Sequence, residues 1–561
     1  MRRRILKVLG VSLGSLLVIF ALGAVAHAGL AVFAGTLQDF HIPGTQVGDL
    51  NLENFLSSSA CSECHGQTGK TSGPSPSWAG SMMAHAGRDP LWKAQLTTAE
   101  QDVTSVGYYC QRCHVPLSIA DGNANITDGS ALTERDRDGI NCHFCHSLVD
   151  PIYKPGKSPS SDLALLASLQ DPPLTYGNGQ FVQDPEGVRR APRPDARPLH
   201  EAAYSPFHQS GDFCGTCHDI GNPEIDRADG YSFIYNTLGE HSTSSDPHTQ
   251  FPLQRTYSEW KLSSFAQRGV NMAGRFGGKD ADVVKTCQDC HMPRSVGKAA
   301  AFGPTRKDLR SHEFAGAAVA VLDMIAADNI GNPAVDQAAI ARVRKSSLQM
   351  LRNAALLKVS RRGKNLKVRV INQSGHKLPT GHSEGRRIWL NVKFLDRHGK
   401  LLAEHGAYDL NTATLDSAST VVYEMEMGLD NQAAQLTQLD AGPKAARMSL
   451  ANAIFKDNRI PPRGFNNLAY SAAGAAVIGW SYKDGQYWDD SQWDVPTGAA
   501  RALVTLNYQS TPREYIEALR DANVTNQDGQ RLYELWTQTG RGAPIEMVRQ
   551  SISLVRKKAA R

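Results

Sequence analysis

The ten cysteines of this chain all fall in C-x-x-C-H pentapeptides, at Cys61–His65, Cys110–His114, Cys142–His146, Cys214–His218 and Cys287–His291. None is left over. Two cysteines three positions apart can each add to one vinyl group of a haem, and the histidine that follows then reaches the iron. One pentapeptide thus attaches and ligates one haem. On this reading Cys61, Cys64, Cys110, Cys113, Cys142, Cys145, Cys214, Cys217, Cys287 and Cys290 hold five c-type haems covalently, and His65, His114, His146, His218 and His291 are the proximal ligands. A disulfide framework has no need of a histidine after every pair. Structural zinc draws four ligands from two Cys/His pairs, so an odd number of three-ligand units suits it poorly.

Each iron so held has a sixth position, and the 18 histidines offer more candidates than five such positions need. In an ordinary protein a lone histidine is more often a surface or satisfied core residue than a ligand. Context ranks the candidates. His85 falls on an expected helix between the first two motifs, and His208 stands shortly before Cys214. His376 sits in a Gly/Pro-rich loop between two expected strands, where backbone punctuation can aim it at the haem region. His143, inside the third motif, could serve another haem, as could His200 or His248. Methionine is the rival ligand and raises the potential relative to histidine, so Met82 and Met83 beside His85 leave that site open between the two.

The elements that must position these residues come in two blocks. Motif starts are separated by 49, 32, 72 and 73 residues, sparse enough that haem replaces much but not all of the apolar core. Short helical patterns lie between them, with few regular strands, and Pro/Gly/Ser-rich stretches such as 151–200 read as surface loops. After residue 315 the composition shifts. AGAAVAVLDMIAAD and PAVDQAAIARVRKSSLQMLRNAA read as helices, the second with its proline in the first turn. Alternation then takes over: Leu366, Val368 and Val370 on one expected strand, and Ile388, Leu390, Val392 and Phe394 on another with Trp389, Asn391 and Lys393 facing outward. Further strands are expected near 420–428, 475–482 and 501–508, and helices return with Tyr515, Ile516 and Leu519, then Leu532, Leu535 and Trp536. The expected fold class is α+β: a mainly helical and coil haem domain over 36–340, an antiparallel β-sandwich-like domain over 341–510 without cysteine, and C-terminal helices over 511–561.

Composition narrows the function. Hydrophobic residues make up 41% and charged residues 20% of the chain, with mean hydropathy -0.36, which excludes a polytopic membrane protein and wholesale disorder. Of the net charge of +5, Arg2, Arg3, Arg4 and Lys7 supply most, so the remainder gives no support to a nucleic-acid role. Residues 1–35 carry an address: those basic side chains precede an apolar stretch from Val8 to Ala34 with small-x-small sites at Ala24-Val25-Ala26 and Ala26-His27-Ala28. The same stretch is long enough to remain as a membrane anchor with its basic end in the cytoplasm.

Beyond the haem motifs, SMMAHAGRDPLWKAQL (81–96), GINCHFCH (139–146), TYSEWKLSSFA (256–266), TCQDCHMP (286–293), SHEFAGA (311–317), GHKLPTG (375–381) and KDNRIPPRGF (456–465) make the chain resemble the bacterial multihaem c-type cytochromes. The resemblance implies haem attachment on unfolded, reduced cysteines outside the cytoplasm, which disfavours the folded-export route that Arg2-Arg3-Arg4 resembles. It also implies that His312, in SHEFAGA, occupies a ligand position. The expected function is electron relay, because a bis-histidine iron has no position for substrate. Expected partners are other redox proteins, either cytochromes or membrane quinol oxidoreductases, and the expected location is the periplasm or cell surface. Two alternatives stand beside this: an oxidoreductase acting on a small nitrogen or sulfur compound at one open haem, and a subunit of an extracellular cytochrome assembly. Multihaem nitrite reductases carry a lysine in place of one proximal histidine, whereas all five motifs here end in histidine.

Overall fold

The computed structural model describes residues 33–66, 73–236, 244–276, 282–382 and 384–555. Nearly all of the leader, including both cleavage sites, lies outside them. Among the described residues no helix is long and apolar enough to cross a membrane.

The haem motifs lie on short helices, Ser58–His65, Val106–His114, Cys142–Ser147, Gly211–Gly215 and Cys287–His291, the fourth running on through a turn to His218. One helical turn sets residues three apart on the same side, so the two thiols of a pair face one way. Local chemistry fixes where these helices start. Asn141 Oδ1 accepts the Phe144 N–H at 2.8 Å, Ser210 Oγ accepts the Asp212 N–H at 3.2 Å, and Thr286 and Asp289 form a reciprocal capping box. Each such cap is worth about 1 kcal/mol. The longer helix Pro90–Asp102 opens on an Asp89 cap followed by proline, so His85 lies before it, at the entrance of a single turn Ala86–Arg88, instead of on a helix. The helix Gln337–Asn353 likewise starts at its Asp336 cap, which leaves Pro333 outside the first turn.

The haem region also holds more strand than its loops suggest. Ile220–Asp229 pairs antiparallel with both Ser232–Tyr235 and Gln250–Gln254. The reason is remote: Ile225, Phe233, Phe251 and Leu253 bury against Met425, Met427 and Ala451 of the C-terminal region, so local alternation does not reveal them.

In the C-terminal region two antiparallel sheets share one apolar core. One is Ala355–Arg362, Asn365–Asn372 and Trp488–Asp494; the other runs Leu401–His405, Arg387–Leu395, Arg501–Gln509 and Ile545–Ser553, with Val422–Tyr423 also on Arg387–Leu395. Leu366, Val368 and Val370 of the first meet Ile388, Leu390, Val392, Phe394, Val504 and Leu506 of the second. Trp389, expected outside, is fully buried because the Tyr408 ring covers it and its Nε1–H donates to the Gly406 carbonyl at 3.2 Å. Residues 475–482 form only an isolated bridge between Ile478 and Asp457. The described residues do not close on helices: after Arg513–Ala522 and Asp528–Gln538, Ile545–Ser553 returns to the sheet beside Arg501–Gln509.

These last two helices tie the halves together. Ile516, Leu519, Leu532, Leu535 and Trp536 share a core with Ala94 of Pro90–Asp102 and with Val321, Leu322, Ile340 and Val343. Thr97 donates to Asp528 at 3.0 Å, and Gln101 Oε1 accepts the backbone of Val524 and Thr525 at 2.9 and 3.1 Å.

Candidate haem-binding cavity

One continuous cavity of about 1380 Å³ runs between the motif helices and the C-terminal region. Small-molecule sites usually hold 300–1,000 Å³. All ten motif cysteines and all five motif histidines line it, and none of these cysteines is paired in a disulfide. Cysteines of different motifs are neighbours: Cys61 of Cys142, Cys113 of Cys217, and Cys214 of Cys287. Cys145 in turn lies close enough to Cys214 and Cys217 to raise their pKa values. Burial pushes Cys110 and Cys145 up to about 12. Motif one therefore borders three, three borders four, and four borders both two and five.

The histidines give the sharpest geometry. Two imidazoles sharing one metal ion through Nε2, at about 2.0–2.1 Å on either side, place their ring centres about 6.3 Å apart. His65 and His200 stand 6.4 Å apart, His146 and His312 6.3 Å, and His291 and His376 6.4 Å. In all six rings Nδ1 is tied to a main-chain carbonyl, which leaves Nε2 for the metal. For the motif members that carbonyl is distant in sequence: Ala299 for His65, Arg190 for His146 and Ala315 for His291, at 2.7, 2.8 and 2.7 Å. For the partners it is local: Glu201 for His200, Arg310 for His312 and Lys377 for His376, at 2.9, 3.1 and 2.9 Å. Burial lowers His312 and His376 to about 4, so both imidazoles are neutral at physiological pH and keep a lone pair.

The other expected distal residues are placed differently. His208 lies 5.7 Å from His146, donates Nε2–H to the Cys145 carbonyl at 2.9 Å, and leaves Nδ1 without a partner. His143 has both nitrogens engaged: Nδ1 accepts the Leu56 N–H at 2.8 Å and Nε2–H donates to the Gly187 carbonyl at 2.8 Å, while the ring stacks on Phe55. His85 is buried with neither ring nitrogen hydrogen-bonded, but it does not reach the cavity wall, whereas Met82 and Met83 do. His248 is held by Ser258 Oγ at 2.7 Å.

Among the described residues, no histidine ring stands opposite His114 or His218 at the pair distance. The Trp92 ring lies 5.0 Å from that of His114 and nearly parallel to it. Gln254 Nε2 donates to His218 Nδ1 at 3.1 Å. Burial holds both histidines down to about 4.

His382, which the sequence reading passed over, lines the same cavity and is lowered to about 3 by burial, then by Arg386 and His114. Its signal was only its place beside GHKLPTG. Nε2–H donates to Tyr515 Oη at 2.9 Å, and Tyr515 donates onward to Gln95 Oε1 at 3.1 Å. Two close approaches explain the glycines around it. A Cβ on Gly381 (φ +94°) would lie 2.0 Å from the Arg386 guanidinium, and one on Gly385 (φ +71°) 2.4 Å from the Tyr515 ring. Burial raises the neighbouring Asp89 to about 6 and Glu384 to about 8.

The residues present fit haem. The wall supplies thiol pairs, neutral imidazoles with one nitrogen presented, apolar rings, and guanidinium groups such as Arg189, Arg193 and Arg306 suited to haem carboxylates. No family model and no curated protein matches the chain. Among solved structures it is similar to a penta-heme cytochrome c552 from Thermochromatium tepidum, at 17% identity over 89% of this chain and 99% of that one, with a TM-score of 0.48.

Proposed function

We propose that the chain is a five-haem c-type cytochrome that relays electrons between redox partners outside the cytoplasm, the partners being other cytochromes or a membrane quinol oxidoreductase. The observation that carries this is the set of three histidine pairs at 6.3–6.4 Å with every Nδ1 fixed. Bound haem supplies a reversible one-electron couple. The chain's own contribution is position and environment. The three histidine pairs would hold their irons from two sides, burial limits water, and the adjacency of the motifs gathers the five sites into one connected set. The two C-terminal sheets act as a sandwich-like cap that brings His376 across to His291.

Under denaturing conditions the intact mass should exceed the mature polypeptide by five haems, and the reduced protein should be reoxidised by outer-sphere acceptors. Fewer haems, in protein made with a competent maturation system, would sink the proposal. A second reading, an oxidoreductase for a small nitrogen or sulfur compound, draws support from His114 and His218, which have no histidine across from them among the described residues.

A further inference from the structure

We infer that the haem attached through Cys110 and Cys113 has its sixth position open to a small anion, received by a wall of His382, Tyr515 and Arg386; this rests on the five-haem reading. Three observations converge. His114 lacks the partner ring that His65, His146 and His291 each have. Trp92, 5.0 Å from the His114 ring, lies one turn before Gln95 on the helix Pro90–Asp102, and Gln95 accepts from Tyr515, the partner of His382, which breaks the pattern of the paired rings. Its Nε2 is spent on Tyr515 Oη at 2.9 Å instead of being presented to a metal. That hydrogen bond runs on to Gln95, whose amide nitrogen donates to the Ala446 carbonyl at 3.2 Å, so the Tyr515 hydroxyl that meets the ring is itself anchored.

What this leaves facing the cavity is a chosen set of groups. Arg386 brings a positive charge, and one of its nitrogens donates to the Thr380 carbonyl at 2.6 Å. Asp89, Glu384 and Arg386 each bear on Tyr515, and Arg386 also on Asp89, so the groups gather around the Tyr515 ring. The turn that carries His382 and Arg386 depends on Gly381 and Gly385, each pressed against one member of that cluster. A guanidinium in a water-poor pocket beside an iron favours a compact anion over a neutral ligand.

The test uses the full-length holoprotein, with five haems first verified by mass so that failure of the haem reading shows separately. Ferric protein should give a high-spin signal that cyanide converts to low spin, and the reduced protein should bind carbon monoxide. Arg386→Gln should weaken cyanide about tenfold while leaving carbon monoxide nearly unchanged, and Arg386→Lys should restore most of the loss. Tyr515→Phe keeps the ring against Gly385 and removes only the hydroxyl, so it should change the cyanide-bound spectrum in a protein that folds normally. Entirely low-spin ferric haem with no cyanide or carbon monoxide binding would overturn the inference. So would ligand binding indifferent to both Arg386→Gln and Tyr515→Phe.

Discussion

At the scale of single residues, a histidine becomes useful to a metal only when something else takes its other nitrogen. His376 shows this economically: its own neighbour Lys377 supplies the carbonyl at 2.9 Å, and the ring then faces His291. His376→Ala should therefore convert one low-spin ferric signal to high spin and leave the covalent haem count unchanged, as read by electron paramagnetic resonance and mass. His200→Ala should do the same for the pair with His65, and the double variant should show two such conversions. Glu224 makes a prediction independent of haem. Burial, then Asp39 and Asp226, raise it from 4.5 to about 8. The folded protein thus holds this proton more tightly than the unfolded chain. The stability it contributes is complete below the unfolded value of 4.5 and is lost as pH rises through about 8. Glu224→Gln should flatten that fall, so its urea midpoint should gain on the wild type steadily across this interval; equal slopes would remove Glu224 as the cause.

At the scale of elements, the loop between Asn365–Asn372 and Arg387–Leu395 is clamped to the haem region by a buried charge cluster. Lys377 Nζ meets Asp457 at 2.7 Å, Arg459 meets Asp457 at 2.7 Å and Glu259 at 3.1 Å, and Glu259 also accepts the Lys377 N–H and the Thr380 hydroxyl. Although burial opposes it, Arg459 and Lys377 hold Asp457 below its usual value. Glu259 belongs to the short helix Thr256–Lys261, so the cluster joins the two halves one residue from His376. Removing one of the two carboxylates strands a cation in the interior, at a cost of about 3–5 kcal/mol. Glu259→Ala should lower stability by that order in denaturant unfolding and also disturb the low-spin signal of the His291–His376 haem, whereas Glu259→Gln, which keeps the hydrogen-bond acceptor, should do less of both. A stability loss with every haem signal intact would separate the clamp from ligand positioning.

At the scale of the whole molecule, the cavity of about 1380 Å³ is too large for the surrounding apolar clusters to close over by themselves. A void of that size forfeits packing on every wall. The chain expressed without haem maturation should therefore fail to reach a cooperative fold, giving no sharp thermal transition and rapid proteolysis, while the matured protein gives one. Haem-free protein that unfolds cooperatively would show that the helices Arg513–Ala522 and Asp528–Gln538, with their contacts to Pro90–Asp102, suffice to close the fold.

The proposed attachment chemistry is read from the sequence alone because it is local: two thiols and an imidazole fall within five residues, whatever the fold around them. So are the buried stripes of Leu366, Val368 and Val370 and of the terminal helices, since periodicity records a face. His312 and His376 were singled out from their settings, and His200 only as a reserve, yet the sequence could not say which motif histidine each would face. Nor could it show His143 with both nitrogens engaged, Trp389 covered by Tyr408, or His382 turned toward Tyr515. Each of those depends on a carbonyl, ring or hydroxyl brought from a distant part of the chain, and a side chain's free nitrogen is decided by its neighbours in space, which only the tertiary structure assembles.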